Sequence, residues 1–322
     1  MKYRTLGRTG IEVSEIGYGA WGIGEGMWIG SDDAESMKAL HLAADIGLNF
    51  IDTALVYGEG HSEQVVGRFL KERNGKIAVA TKIPPKNGRW PAGQGTKLSD
   101  AFPYDHIIKS TETSLKNLGL ETIDIQQFHV WIDEWTDTQE WFDAISHLRE
   151  QGKIRFFGIS INDHKPESAL KVATSGKVDT FQVIYNIFDQ SPEADLFPLC
   201  IERNIGVIAR VPFDEGALTG TVTSSTTFPQ GDFRNRYFRG ERKQQTQERI
   251  EQLVPLLGPE AATLPELALR FCLQNNAVST VIPGMRTVAH AGSNCRVSDG
   301  RKLSTKMVGE LRQHRWEKNF YP

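Results

Sequence analysis

The chain has 322 residues, 39% of them hydrophobic, with 40 acidic against 37 basic side chains and a formal charge of −3. That balance, with no long single-sign block, argues against nucleic-acid or anionic-membrane partners. The early charges Lys2 and Arg4, and the lack of any apolar run of bilayer length, predict a soluble cytoplasmic protein with no membrane contact.

The opening stretch, 3–13, reads as a hairpin turning at Gly7-Arg8-Thr9-Gly10. A first strand at 15–18 leads into the glycine-rich Gly19-Ala20-Trp21-Gly22-Ile23-Gly24, and the stripe Met37, Leu40, Ala44 makes 32–47 a helix. Strand 49–52, helix 62–73 and strand 77–82 follow. Ile107, Thr111, Leu115 and Leu118 share one helical face ahead of strand 123–129. Trp141, Ile145 and Leu148 do the same ahead of strand 154–160. Strands at 180–183, 207–209 and 278–282 bring the total to eight. Thr263-Leu264-Pro265-Glu266 reads as a capping box opening a helix that packs through Leu267, Ala268 and Phe271, and 304–316 reads as a C-terminal helix.

Eight strands alternating with helices, undivided by a polar linker, predict an α/β fold. It is a (β/α)8 TIM barrel with an N-terminal β-hairpin and an extra C-terminal helix, one domain spanning 1–322. A doubly wound sheet is the competing layout. Gly17, Gly19 and Gly22 match a G-x-G-x-x-G spacing, but the next helix starts only near Asp32, so these glycines do not open a helix onto a pyrophosphate. The interruptions at 83–102 and 215–242 follow strand ends and predict rim loops. Cys200, Cys272 and Cys295 are too scattered for a disulfide framework or a short-spaced metal pair, and are read as buried thiols.

Asp52, Tyr57, Lys82 and His129 stand at or just past strand C-termini, which share one rim in a parallel barrel. A lysine ammonium beside a tyrosine oxygen is expected to lower the phenol's pKa, with the aspartate keeping the lysine charged. His129 is expected to hydrogen-bond a substrate carbonyl. Such a set delivers a proton from Tyr57 to a carbonyl oxygen as hydride reaches the carbon, or takes it back from an alcohol. Side chains do not supply hydride, so a bound cofactor is required. No metal centre is expected, since His129 lacks a histidine partner, and no G-x-S-x-G elbow points to a serine hydrolase.

Over nearly its whole length the sequence resembles the aldo-keto reductase family, in the branch with a long Gly-Asp-Phe-Arg loop and inositol- or sugar-type oxidoreductases. The landmarks are Leu6-Gly7-Arg8-Thr9-Gly10, Asp52-Thr53-Ala54 with Tyr57-Gly58, Thr81-Lys82, His129, Gly158-Ile159-Ser160-Ile161-Asn162, Gln182 with Tyr185-Asn186, Gly231-Asp232-Phe233-Arg234-Asn235, and Ile282-Pro283-Gly284. The resemblance implies a barrel that binds an extended nicotinamide cofactor, uses Asp52, Tyr57, Lys82 and His129 as a catalytic tetrad, and passes hydride to an aldehyde or ketone.

It also implies cofactor roles: Ser160, Asn162 and Gln182 at the carboxamide, and exposed amides of Gly216, Leu218 and Gly220 at the pyrophosphate. Arg234 stands in a loop over the cofactor, and Gly284, Arg286, His290 and Asn294 at the adenosine end. Arg210 stands where relatives commonly stack an aromatic ring on the nicotinamide. It is expected to stack through its guanidinium, with Asp214 or Glu215 compensating its charge. Arg286 favours NADP over NAD by pairing the extra 2′-phosphate, with NAD use left open. Trp21, Trp90 and Trp131 are expected to wall the pocket of a small carbonyl or alcohol substrate. The expected activity is NADP-dependent carbonyl reduction. The alternatives are a polyol or sugar dehydrogenase using NAD(P)+, or a cofactor-binding regulatory module like relatives associated with membrane channels. The sequence leaves the oligomeric state open.

Overall fold

A computed structural model describes residues 1–73 and 75–316. β1 (Tyr3–Thr5) and β2 (Glu12–Ser14) pair antiparallel, with Tyr3 opposite Ser14. This hairpin plugs one end of a barrel: Leu6 and Val13 pack with Phe50, Ala80, Ile125, Ile208 and Ile282 in a small apolar cluster inside the strands. Gly7, at φ +50°, lies so close to the chain at Gly206 that a Cβ would fall 2.2 Å from the Gly206 nitrogen. No side chain fits there.

Eight parallel strands follow: β3 (Tyr18–Gly19), β4 (Phe50–Asp52), β5 (Ala78–Ile83), β6 (Ile123–Phe128), β7 (Ile154–Ser160), β8 (Thr180–Ile184), β9 (Gly206–Arg210) and β10 (Val278–Val281), each bonded to the next in chain order. The ring is completed by parallel bridges from Ile16 to Val281 and from Gly19 to Gly284, and by the Gly17 amide donating to Val281 O at 2.8 Å. The strands are buried almost end to end, because one face fills the barrel and the other carries the helices. Between sheet and helices lies the main core, where Leu40, Val65, Ile107, Trp141, Leu148 and Phe271 meet.

The first strand is shorter than the sequence suggests, since 15–17 joins the closing bridges rather than a ladder. The C-terminal helix is also shorter, Thr305–Arg312, with Ser304 accepting from the Met307 amide. Beyond it the chain turns so that the Trp316 amide donates to Phe188 O and its ring meets Phe188 edge-on. Both rim loops carry local structure: Leu98–Ala101 in the first, and the turn Asp214–Thr219 and helix Phe233–Tyr237 in the second. The capping box forms with one change, because Glu266 accepts from the Ala262 amide while Thr263 caps Glu266. The three cysteines are buried and unpaired, and burial raises each thiol's pKa. Among the described residues no helix is long and apolar enough to cross a membrane.

Candidate active site

Three strand ends and one turn converge on a single cluster. Asp52 ends β4, Lys82 stands one residue before the end of β5, and His129 follows β6 directly, its amide held by Ile83 O at 3.0 Å. Tyr57 lies in the turn after β4. Lys82 Nζ donates to Asp52 Oδ2 at 2.6 Å, to Thr53 O at 2.7 Å and to the Tyr57 hydroxyl at 3.3 Å. All three ammonium protons are thereby placed. Asp52 Oδ1 accepts from the Gln182 amide at 2.6 Å and the Gln127 amide at 3.3 Å. Lys82 and Asp52 are both buried.

Aromatic rings gather around the Tyr57 ring and His129. Trp21 stacks on the Tyr57 ring at 6.1 Å, His129 meets it edge-on at 5.8 Å, and Trp90 stands perpendicular to His129 at 4.5 Å. Desolvation decides the charge states here. It raises Tyr57 well above the usual phenol range, with Asp52 adding to the rise and Arg210 opposing it. It lowers Lys82, with Asp52 opposing, and it lowers His129 well below the usual imidazole range, aided by Lys82 and Arg210. The acidified phenol expected from the sequence is therefore corrected: with the ammonium paired to Asp52, loss of water dominates and the Tyr57 pKa is raised rather than lowered. His129 is neutral, and its buried Nδ1 has no hydrogen-bond partner among the described residues.

The glycine-rich loop serves close approach. A Cβ on Gly19 would lie 2.6 Å from Ile282 O, one on Gly22 2.9 Å from Arg286 Cδ, and one on Gly24 2.9 Å from the Tyr57 carbonyl carbon. These glycines let the loop press against Ile282, Tyr57 and Arg286.

Ser160, at the end of β7, is buried. Asn162 and Gln182 are already engaged: Asn162 Nδ2 donates to Ala92 O at 3.1 Å, and Gln182 holds Asp52. Arg210 ends β9 and donates to Asp163 Oδ1 at 2.5 Å and Ile161 O at 2.8 Å. Asp163 thus supplies the pairing expected from Asp214 or Glu215, because Asp214 is held by the Tyr237 hydroxyl and faces Arg242 at 3.5 Å. The Gly216 and Leu218 amides both donate to Phe213 O at 3.0 Å, and Gly220 to Ala217 O at 3.1 Å. At these positions the expected exposed amides are spent inside the turn, although open space surrounds Gly216 and Gly284. Trp131 is a core residue rather than a pocket wall. It is fully buried against Phe128, Trp135 and Trp141, because its large ring fills the space between barrel and helices.

A second cluster forms beside the first. Arg234 grips Asp232 through two bonds of 2.8 Å and lies 4.5 Å above the Trp28 ring, with Arg286 6.0 Å from the same ring. The loop after β3 and the second rim loop are joined there, with the Phe233 amide on Met27 O at 2.7 Å and the Ile29 amide on Asp232 Oδ2 at 3.2 Å. Helix Val288–Arg296 carries His290 and Asn294, and Arg286 adds to desolvation in lowering the His290 pKa. The sequence pattern does not single out Trp28 or Asp163. Their available signals were a second tryptophan in the Trp21 loop and an acid just past a strand end.

A family model described as the aldo/keto reductase family matches residues 15–315. The chain belongs to the aldo/keto reductase family. Among its relatives, aldo-keto reductase YhdN of Bacillus subtilis (strain 168) is 31% identical over 291 residues, 89% of this chain and 85% of that one. The NADH-specific methylglyoxal reductase of Escherichia coli (strain K12) is 31% identical over 295 residues, 88% and 89% of the two chains. A solved structure, the glycerol dehydrogenase AKR11B4 from Gluconobacter oxydans, matches with a TM-score of 0.80 at 29% identity, covering 97% of this chain and 94% of its own. In this aldo/keto reductase the residues of the Lys82 cluster come from four separate segments, brought together only by barrel closure. Membership carries nicotinamide-dependent oxidoreductase chemistry as its class.

Proposed function

We propose that this aldo/keto reductase reduces small aldehydes or ketones with NADP(H), Tyr57 supplying the proton. The observation that carries the reading is the Lys82 ammonium bridging Asp52 at 2.6 Å and the Tyr57 hydroxyl at 3.3 Å on a rim walled by aromatic rings. A bound nicotinamide cofactor supplies the hydride. The chain's own groups do the rest. Tyr57 presents a protonated hydroxyl to the carbonyl oxygen, and Lys82 stabilises the phenolate left when that proton moves. Asp52 holds Lys82 in place, Gln127 and Gln182 hold Asp52, and neutral His129 can direct an N–H toward the same oxygen. Trp21 and Trp90 wall the mouth beside Tyr57 and His129 and help exclude water from it.

Oxidation of a polyol or sugar alcohol is the second reading, suggested by the likeness to a glycerol dehydrogenase. It needs a tyrosinate, which the desolvated phenol resists, so reduction is favoured at neutral pH. A purely regulatory role gains no support from a cluster with every member in place. Carbonyl-dependent oxidation of NADPH or NADH across aldehydes, ketones, sugars and inososes tests the reading. Consumption of neither cofactor with any of them would reject it.

The residues also fit an anionic dinucleotide. Arg286 donates to Ile29 O at 3.2 Å and pairs with no carboxylate among the described residues, while Gly284 beside it is open. Arg286→Ala is expected to weaken NADPH binding by about 10–100-fold, the worth of a charged hydrogen bond, and NADH binding far less. Fluorescence titration reads both. Equal losses would remove the phosphate role, and tighter NADH binding by the wild type would reverse the preference toward that of the Escherichia coli relative.

A further inference from the structure

Helix His61–Glu72 follows the Tyr57 turn, and its second residue touches three parts of the site at once. The Ser62 amide donates to Tyr57 O at 3.2 Å. Its hydroxyl donates to Ala20 O at 2.9 Å and meets the Thr53 hydroxyl at 2.8 Å. A serine hydroxyl has one proton and Ala20 O takes it, so the Thr53 hydroxyl is the donor in the second contact. Ala20 opens the loop whose Trp21 stacks on Tyr57, and the Thr53 carbonyl receives Lys82 Nζ at 2.7 Å. One buried residue thus joins the turn carrying Tyr57, the segment holding Lys82 and the loop carrying Trp21.

A serine at a helix start ordinarily caps the helix by accepting from a backbone amide. Here the N-cap position is Gly60, no side chain caps the helix, and Ser62 turns its hydroxyl to two other segments instead. Its base is fixed. Neighbouring Glu63 accepts from the Thr81 hydroxyl at 2.6 Å and the Asn117 amide at 2.8 Å, tying the helix to β5 beside Lys82 and to helix Tyr104–Leu118. Ser62, Glu63, Thr53 and Thr81 are all fully buried, so bulk water does not replace a partner removed there. The Lys82–Tyr57 contact, at 3.3 Å the longest of the three made by the ammonium, is the most sensitive to a shift of these segments.

We propose that Ser62 is a positioning residue for carbonyl reduction, its hydroxyl setting the Tyr57 hydroxyl and the Trp21 ring against Lys82. The inference rests on the reduction reading above. Ser62 acts through Thr53, Ala20 and Tyr57 rather than on the substrate. Without its hydroxyl, Ala20 O and the Thr53 hydroxyl lose their shared partner, the Trp21 loop loosens from the tyrosine, and water reaches the phenol.

The test uses the full chain with NADPH and an aldehyde that the wild type reduces. Ser62→Ala is expected to lower kcat by about 10–100-fold, the cost of a misplacement on the order of 1 Å, and to raise the carbonyl KM while NADPH affinity holds. The alkaline limb of the kcat profile should move to lower pH, because the phenol loses part of the desolvation that raises it. The charges acting on Tyr57, from Asp52, Lys82, Arg210, Asp163 and Glu215, are left in place by the change. Thr53→Val removes the second hydroxyl at nearly constant volume and keeps the Ser62 bond to Ala20, so it tests the same link should Ser62→Ala fail to fold. It should move kcat and the alkaline limb in the same direction by less, and Thr53→Ser, which keeps a hydroxyl, should restore both. A lowered melting temperature with wild-type kcat, KM and pH profile in Ser62→Ala or Thr53→Val would make the hydroxyls structural only and overturn the proposal. So would a Thr53→Ser variant as slow as Thr53→Val. Both outcomes leave the reduction reading standing, whereas a wild type that reduces no carbonyl with either cofactor sinks that reading and this one together.

Discussion

Tyr57→Phe is expected to slow carbonyl reduction by about 10²–10⁴-fold, the range for losing a positioned proton donor, while cofactor binding stays near wild type. The change removes one oxygen. The ring keeps its stack on Trp21 and its edge contact with His129, and Lys82 keeps Asp52 and Thr53 O. Steady-state turnover beside a binding titration separates the two effects. Turnover close to wild type would mean that another group delivers the proton. The pH dependence follows from the raised phenol pKa: reduction should hold level through neutral pH and fall only in the alkaline range where the phenol ionises, while alcohol oxidation should climb over that range.

The second large effect is on stability. Lys82→Met leaves Asp52 buried with amide donors alone, and breaking a buried pair from one side costs about 3–5 kcal/mol. Urea unfolding should show that loss together with abolished turnover. Adding Asp52→Asn to Lys82→Met should recover much of the stability, since no uncompensated charge then stays inside. If the double variant is instead as unstable as the two single losses summed, the pair is not coupled as the 2.6 Å contact requires.

The barrel was legible because its strands are short buried runs separated by amphipathic helices, a pattern that local sequence carries. Asp52, Lys82 and His129 stood out for a related reason: a polar residue at the end of an apolar run is conspicuous when every such end faces one rim. What was not legible depends on three-dimensional neighbours. The sequence suggested an ammonium acidifying Tyr57, but only the folded site shows that Asp52 spends that charge while desolvation acts on the phenol. Arg210 is unusual for its place in the sequence, yet its partner Asp163 lies just beyond another strand, where no local pattern links the two. Trp131 follows His129 by two residues but points into the helix layer. Gly17, Gly19 and Gly22 match a phosphate motif by spacing alone, whereas Gly19 and Gly22 serve close approach to Ile282 and Arg286, as Gly24 does to Tyr57.

Hydride transfer can be followed atom by atom. Wild-type protein is given NADPH dideuterated at the nicotinamide C4 and a carbonyl substrate it consumes, in ordinary water, and the alcohol is analysed by mass spectrometry and NMR. Direct delivery to a carbonyl carbon beside Tyr57 puts one deuterium on the carbinol carbon, with the hydroxyl proton drawn from solvent. Hydrogen of solvent origin at that carbon, or cofactor oxidation with no label in the alcohol, would contradict it.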